Sequence, residues 1–436
     1  MAKLLLSKLL NGRKPVLAVI LAACCLYAQD KGQSKDPKTY VQLAVKAYQA
    51  KDYNTMIDNL KVALVLRPTH ETYIYYLAKG YALAGDKNNA VRALSEGINM
   101  GFTYPLADDK DFVSIKDTDE FKDLIAKMER NKAHVGNSEP AFTIPEKGLI
   151  TEGLAYNPND QSFYVSSVYK RKIVKIDKQG NVKDFATNQD DLWSVMGMKV
   201  DANRHLLWVS TAANPQMVNY KPEDNGKSAI LKYDTTTGKL IKKYGLSNAP
   251  KPHWLGDLTI SPSGDVYSAD SLAPQIYVIR HDKDEIELFL ENNQIANGQG
   301  ITFSDDGKHM FMSDYSNGIF AIDQGTRKMT LLEFPAGTSM LGIDGIYFYK
   351  GSIIGVQNGI IPHRVIRIYL NSDMNKFDRL EVIEANNPAF SEPTLGDIVK
   401  DTFYYNANSQ WGAVDDKGNL APMDKLKEHI VLKLKL

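Results

Sequence analysis

The sequence is poor in cysteine, in long apolar runs and in unbalanced charge. Its two cysteines, Cys24 and Cys25, stand side by side near the start. Beyond them there is no disulfide, no thiolate metal site and no cysteine nucleophile. Lys+Arg and Asp+Glu both number 52, so no basic footprint for nucleic acid exists. Tryptophan is scarce, 4 against 23 tyrosines, a balance suited to strands and channel rims rather than a membrane bundle. Also missing are G-x-S-x-G and the Walker and Rossmann glycine patterns. H-E-x-x-H is missing too, since His70-Glu71 lacks the second His. Serine-hydrolase, zinc-protease and nucleotide chemistry are disfavoured by these gaps.

The apolar run Pro15 to Cys25 follows Lys3, Lys8, Arg13 and Lys14. It is too short to cross a bilayer and has the form of an export leader. Two processing routes are legible. Cleavage after Leu26-Tyr27-Ala28 makes residues 1–28 a signal peptide. Alternatively, Leu21-Ala22-Ala23-Cys24 is a lipobox, with a leader ending at Ala23 and a lipid anchor on Cys24. Either route predicts an exported protein, periplasmic or secreted, with no transmembrane span in the mature chain.

What is present falls into two periodic regions. From residue 37 to 131 a 34-residue spacing relates Leu43 to Leu77, Ala44 to Ala78, Ala47 to Tyr81, Met56 to Ala90, Leu60 to Leu94 and Ala63 to Gly97. This resembles the tetratricopeptide repeat, in which small and large residues at those offsets nest two antiparallel helices. A further helix is predicted near Thr118 to Arg130, with Phe121, Leu124, Ile125 and Met128 on one face. Two expectations stand for this region: a partner-docking groove, or a module that caps the next domain.

From about residue 150 another pattern recurs, as TEGLAYNPNDQSFYVSS, GDLTISPSGDVYSADS, QGITFSDDGKHMFMSD and DGIYFYKGSIIGVQN. Each copy holds two alternating apolar stretches around a polar turn. The copies open at Glu152, Met196, Gly256, Gln299, Asp344 and, more loosely, Glu392. Short strands at this period predict a six-bladed β-propeller over residues 140–436, with every opening residue at one end of the central channel. Glycine in second place in four copies lets backbones pack closely. Either Pro140 to Lys147 or His429 to Leu436 could close the ring. The expected fold class is thus multidomain, α and all-β.

Residues from about 148 onward resemble the gluconolactonase, regucalcin and paraoxonase superfamily. The resemblance rests on Glu152-Gly153, His253 to Ser271, Gln299 to Lys308 and Asp344-Gly345-Ile346. It implies a calcium-dependent propeller, with the ion on the channel axis acting on a lactone or ester carbonyl. The metal ligands it implies are Glu152, Asp257, Gln299 and Asp344, although Gly256 and Gln299 stand where that superfamily carries Asn. Glu152 doubles as a candidate base. His253 and His363 lie beside the expected end face and are candidate proton carriers or ligand contacts, with His253 leading. The amide-rich strand ends supply Asn358, Asn406 and Asn408 for sugar, lactone or ester oxygens, and Trp411 for ring stacking. Two functions follow: an exported hydrolase, or a non-catalytic envelope protein that binds a small ligand on the propeller and a protein partner on the helices.

Overall fold

The computed structural model describes residues 34, 36–246, 252–415 and 417–436. The leader, with Cys24, lies outside them. The chain divides into two compact units between Asn131 and Lys132.

The first unit is helical. Helices α1 (Pro37–Gln49) and α2 (Tyr53–Leu66) are followed by α3 (Glu71–Leu83), α4 (Lys87–Asn99) and α5 (Asp119–Asn131). Helices α3 and α4 begin 34 residues after α1 and α2. Their local signals keep the same offset. Asp52 caps α2 by accepting the Thr55 N–H at 3.1 Å, and Asp86 caps α4 by accepting the Asn89 N–H at 3.2 Å. Leu60, Ala63, Ala78, Ala90 and Leu94 are fully buried, so the small and large residues of the repeat form the seam between helices. The face predicted for the last helix holds in part, with Phe121, Leu124 and Met128 buried.

The second unit is a six-bladed β-propeller built from six four-stranded sheets. Blades 1 to 5 run in simple chain order over residues 154–186, 194–245, 255–291, 298–331 and 343–385. Blade 6 uses both ends of the unit. Strands β22 (Gly396–Val399), β23 (Thr402–Asn406) and β24 (His429–Lys435) form its inner part. Strand β1 (Glu139–Ile144) pairs antiparallel with β24 as the outermost strand. Both candidate segments therefore close the ring together. Val431, Leu432 and Phe403 are buried at this junction, each contributing about 2 kcal/mol of apolar burial.

The channel-facing strands explain the repeated sequence line. In blades 2 to 5 the innermost strand carries a register shift at its opening residues: between Val195 and Met198, Leu255 and Leu258, Gly298 and Ile301, and Ile343 and Ile346. Such bulges re-aim a side chain and twist the strand, and here they fall on the opening pairs Met196-Gly197, Gly256-Asp257, Gln299-Gly300 and Asp344-Gly345. The glycines are needed because neighbouring inner strands touch there. A Cβ on Gly197 would stand 2.7 Å from the Asp257 Cα, and one on Gly300 would stand 2.5 Å from both Asp344 O and Ile346 N. A serine on the second strand then staples the blades. Ser313 Oγ reaches Gly300 O at 3.3 Å and Asp344 O, in the next blade, at 2.7 Å. Ser210 does the same between Gly197 and Gly256.

Candidate functional site

At the end of the channel where the opening residues meet is a cleft of about 390 Å³. Four acids line it, each from a different blade: Glu152, Asp257, Asp344 and Glu392. The amides Asn297, Gln299 and Asn358 and the aromatics Trp254, Tyr315 and Trp411 complete most of the wall. Among the described residues no Lys, Arg or His lines it.

Each carboxylate has a distinct setting. Glu152 Oε2 accepts the Trp411 indole N–H at 2.7 Å. Asp344 Oδ2 accepts from Asn358 Nδ2 at 2.8 Å, while Asn358 Oδ1 accepts the Tyr315 hydroxyl at 3.0 Å. Asn358 also donates to Pro393 O at 3.0 Å, which ties blade 5 to blade 6. Asp257 is 4% exposed; its Oδ1 accepts the Leu258 N–H at 2.9 Å, and its Oδ2 finds no donor. Gln299 donates to Asn297 Oδ1.

Crowding four acids out of water raises their affinity for protons. Burial pushes Asp257 up to about 6, against the pull of the Lys199 charge. Burial, reinforced by the Asp344 charge, holds Glu152 well above the ordinary carboxylate range, and the Trp411 hydrogen bond offsets only part of this. Asp344 is raised by burial, opposed by its Asn358 hydrogen bond. Glu392 is raised by burial, opposed by the backbone N–H of Trp411. Lys199 does not line the cleft; its Nζ sits 3.3 Å from Asp397 Oδ1.

Of the residues expected from the sequence, Glu152, Asp257, Gln299, Asp344, Asn358 and Trp411 meet in this cleft. Four others lie elsewhere. His253 is 4% exposed and its Nδ1 pairs with the fully buried Asp270. Asp270 Oδ1 also gathers the backbone N–H groups of Trp254, Leu272 and Ala273, so His253 belongs to a loop-holding knot and does not face the cleft. His363 is half-buried, outside the lining, and burial lowers its pKa. Asn406 Nδ2 donates to Glu152 O at 2.7 Å and Leu395 O at 3.1 Å, and its Oδ1 is 2.9 Å from His429 Nε2. Asn408 spans Glu428 O and the Ile430 N–H. Asn406 thus ties blade 6 to the start of blade 1, and Asn408 is spent on backbone within blade 6. Three wall residues went unassigned in the sequence: Glu392 as a site residue, Tyr315 and Trp254. For Glu392 the opening position of the sixth copy was the available signal.

The implied calcium ion can be tested against these residues. The donors are all carboxylate or amide oxygens, the set a hard cation takes, and the unpartnered Asp257 Oδ2 is a buried anionic atom awaiting a partner. Among the described residues no three acidic, His or Cys side chains are gathered into a ready metal-binding group. The donor chemistry is thus of the kind a hard cation takes, while a ready-made ligand cage is not formed by the described residues.

The structure is thus a six-bladed propeller with an acidic, aromatic-walled channel mouth, preceded by paired helices. No protein-family model and no curated protein matches the sequence. Among solved structures it is similar to a gluconolactonase from Xanthomonas campestris, at 13% identity over 70% of this chain and 92% of that one, TM-score 0.47. It is also similar to the calcium-binding protein regucalcin from Agrobacterium tumefaciens (15%, 68% and 93%, 0.47). A third is the PQQ-bound aldose sugar dehydrogenase from Streptomyces coelicolor (14%, 69% and 98%, 0.47).

Proposed function

We propose that the propeller is a hydrolase of cyclic or simple esters, working at the acidic channel mouth with a divalent cation, in an exported protein. The observation that carries this is the convergence of four acids from four blades, with no basic side chain among the described lining residues. Glu152, Asp344 and the Gln299 carbonyl would hold the cation. When bound, a cation of this kind polarises an ester carbonyl and acidifies water. Since His253 is committed to Asp270, proton transfer falls to the cleft itself. Asp257 suits it, because its Oδ2 is free to accept a proton and its pKa, at about 6, lies near neutrality. Trp411 keeps the Glu152 carboxylate in place through its indole N–H.

The test combines calorimetric calcium titration with lactone and aryl-ester turnover. Calcium should bind and raise the melting temperature by mass action, and Glu152→Gln should abolish both binding and turnover. Absence of binding at about 10 mM calcium, with turnover unaffected by chelator, would sink this reading.

A second reading, a non-catalytic binding protein, is favoured by the absence of a three-acid group among the described residues. It draws support from the helical unit, where Val41, Val45, Tyr48, Met56 and Tyr76 line an apolar groove of about 310 Å³ that could dock a protein partner. Calcium binding without turnover of any ester would favour it.

A further inference from the structure

Of the four acids in the cleft, Glu392 is the one given no role in holding a cation or moving a proton. Glu392 and Trp411 are presented by a pair of strained loops in blade 6. Glu392 has φ 64° and Gln410 has φ 65°, the left-handed region that non-glycine residues seldom adopt. The loops are bonded to each other, Ser409 N–H to Glu392 O at 3.2 Å and Gln410 N–H to Ser391 O at 3.3 Å. Strain of this kind persists where the surroundings over-determine it, and it gathers at ligand sites. The indole of Trp411 donates to Glu152 Oε2 at 2.7 Å, so these loops hold an aromatic ring beside a carboxylate. Trp411 is only half-buried, as are Trp254 and Tyr315, so the aromatic wall is open to the cleft.

Three independent features point to the same ligand chemistry. Among the described residues no basic side chain lines the cleft, so a negatively charged molecule is repelled there and a positive one attracted. Asp257 holds an unpartnered anionic oxygen that is almost wholly buried. Aromatic faces beside carboxylates are the setting in which organic cations are held, through the ring quadrupole and Coulomb attraction together.

We propose that the ligand of this cleft carries a positively charged nitrogen, seated against Glu392 and the aromatic side chains Trp411 and Trp254. This deepens the ester-hydrolase reading and rests on it only for the ester half: the substrate would be an ester or lactone bearing an ammonium group, and anionic esters would be rejected.

The experiment is equilibrium titration calorimetry of the full chain, calcium present, with choline and its neutral isostere 3,3-dimethylbutan-1-ol. Choline should bind at least about tenfold more tightly, as expected when cation–π and charge attraction are both lost with the nitrogen. Glu392→Gln should remove most of that preference, and Trp411→Leu should weaken choline binding while hardly changing binding of the neutral compound. Melting curves of both variants confirm the fold. Equal binding of the two compounds, or no choline binding while lactones are turned over, overturns the proposal and leaves the hydrolase reading standing. Selective choline binding with no ester turnover does the reverse.

Discussion

Asp257 offers the sharpest test of how this cleft is built. It is buried, its Oδ2 has no donor, and its pKa is raised from 3.8 to about 6. A carboxyl with a raised native pKa takes up its proton more readily in the folded state. Below the unfolded value both states are protonated and folding is unaffected. Between pH 4 and pH 6 the unfolded chain releases the proton and the folded one keeps it, so stability falls as pH rises. At about 1.4 kcal/mol per pH unit, the rise costs the fold about 3 kcal/mol once Asp257 is ionised. Asp257→Asn keeps an oxygen for the Leu258 N–H and removes the charge. Without metal it should therefore match the wild type near pH 4 and melt roughly 5–10 °C higher near pH 7.5. Added calcium should narrow the gap by stabilising the wild type. The assay is differential scanning calorimetry in chelator across pH 4 to 8. Parallel pH profiles for the two proteins, or a lower melting temperature for the variant at pH 7.5, would refute the claim that burial of the Asp257 carboxylate destabilises the fold.

Two further outcomes follow from the inter-blade contacts. Ser313→Ala should lose the staple between blades 4 and 5 and strand Asp344 O, costing about 1–3 kcal/mol in a denaturant titration; an unchanged midpoint would show the staple to be dispensable. Gly300→Ala forces a Cβ against the Asp344 and Ile346 backbone and should cost more than about 3 kcal/mol or prevent soluble expression, whereas a well-folded variant would contradict the close approach of the inner strands.

Much of this was legible in the sequence because a propeller repeats its constraints. Glycine after four of the six opening residues is dictated by the neighbouring strand, so Gly197 and Gly300 mark blades as plainly as the strands do. Glu152, Asp257, Gln299, Asp344 and Asn358 could be placed because they keep fixed offsets from those glycines or end the strand that follows. His253 could not. It stands only three residues before Gly256, but its direction is set by Asp270, a partner across the sheet that no local pattern announces. Asn406 and Asn408 failed for a related reason: they are buried, Asn406 at the seam with blade 1 and Asn408 within blade 6, where their amides answer the backbone of Glu152 and Ile430. Glu392 was hidden by its left-handed backbone, which breaks the strand rhythm used to find the others. The closing strand was ambiguous because each terminal segment alone looks sufficient, and pairing β1 with β24 is a fact about the two together.

That pairing also sets a clock. About 285 residues separate Ile144 from His429, and β1 is made first. At about 5–20 residues per second, β1 waits some 15–60 s for the strand it must join, with its hydrogen-bonding edge unsatisfied. Ring closure is the most non-local step of the fold and so among its slowest. It cannot occur until β24 has been synthesised. A stalled or truncated chain therefore leaves two open edges, one at each end of the ring, and declares itself incomplete to whatever surveys nascent proteins.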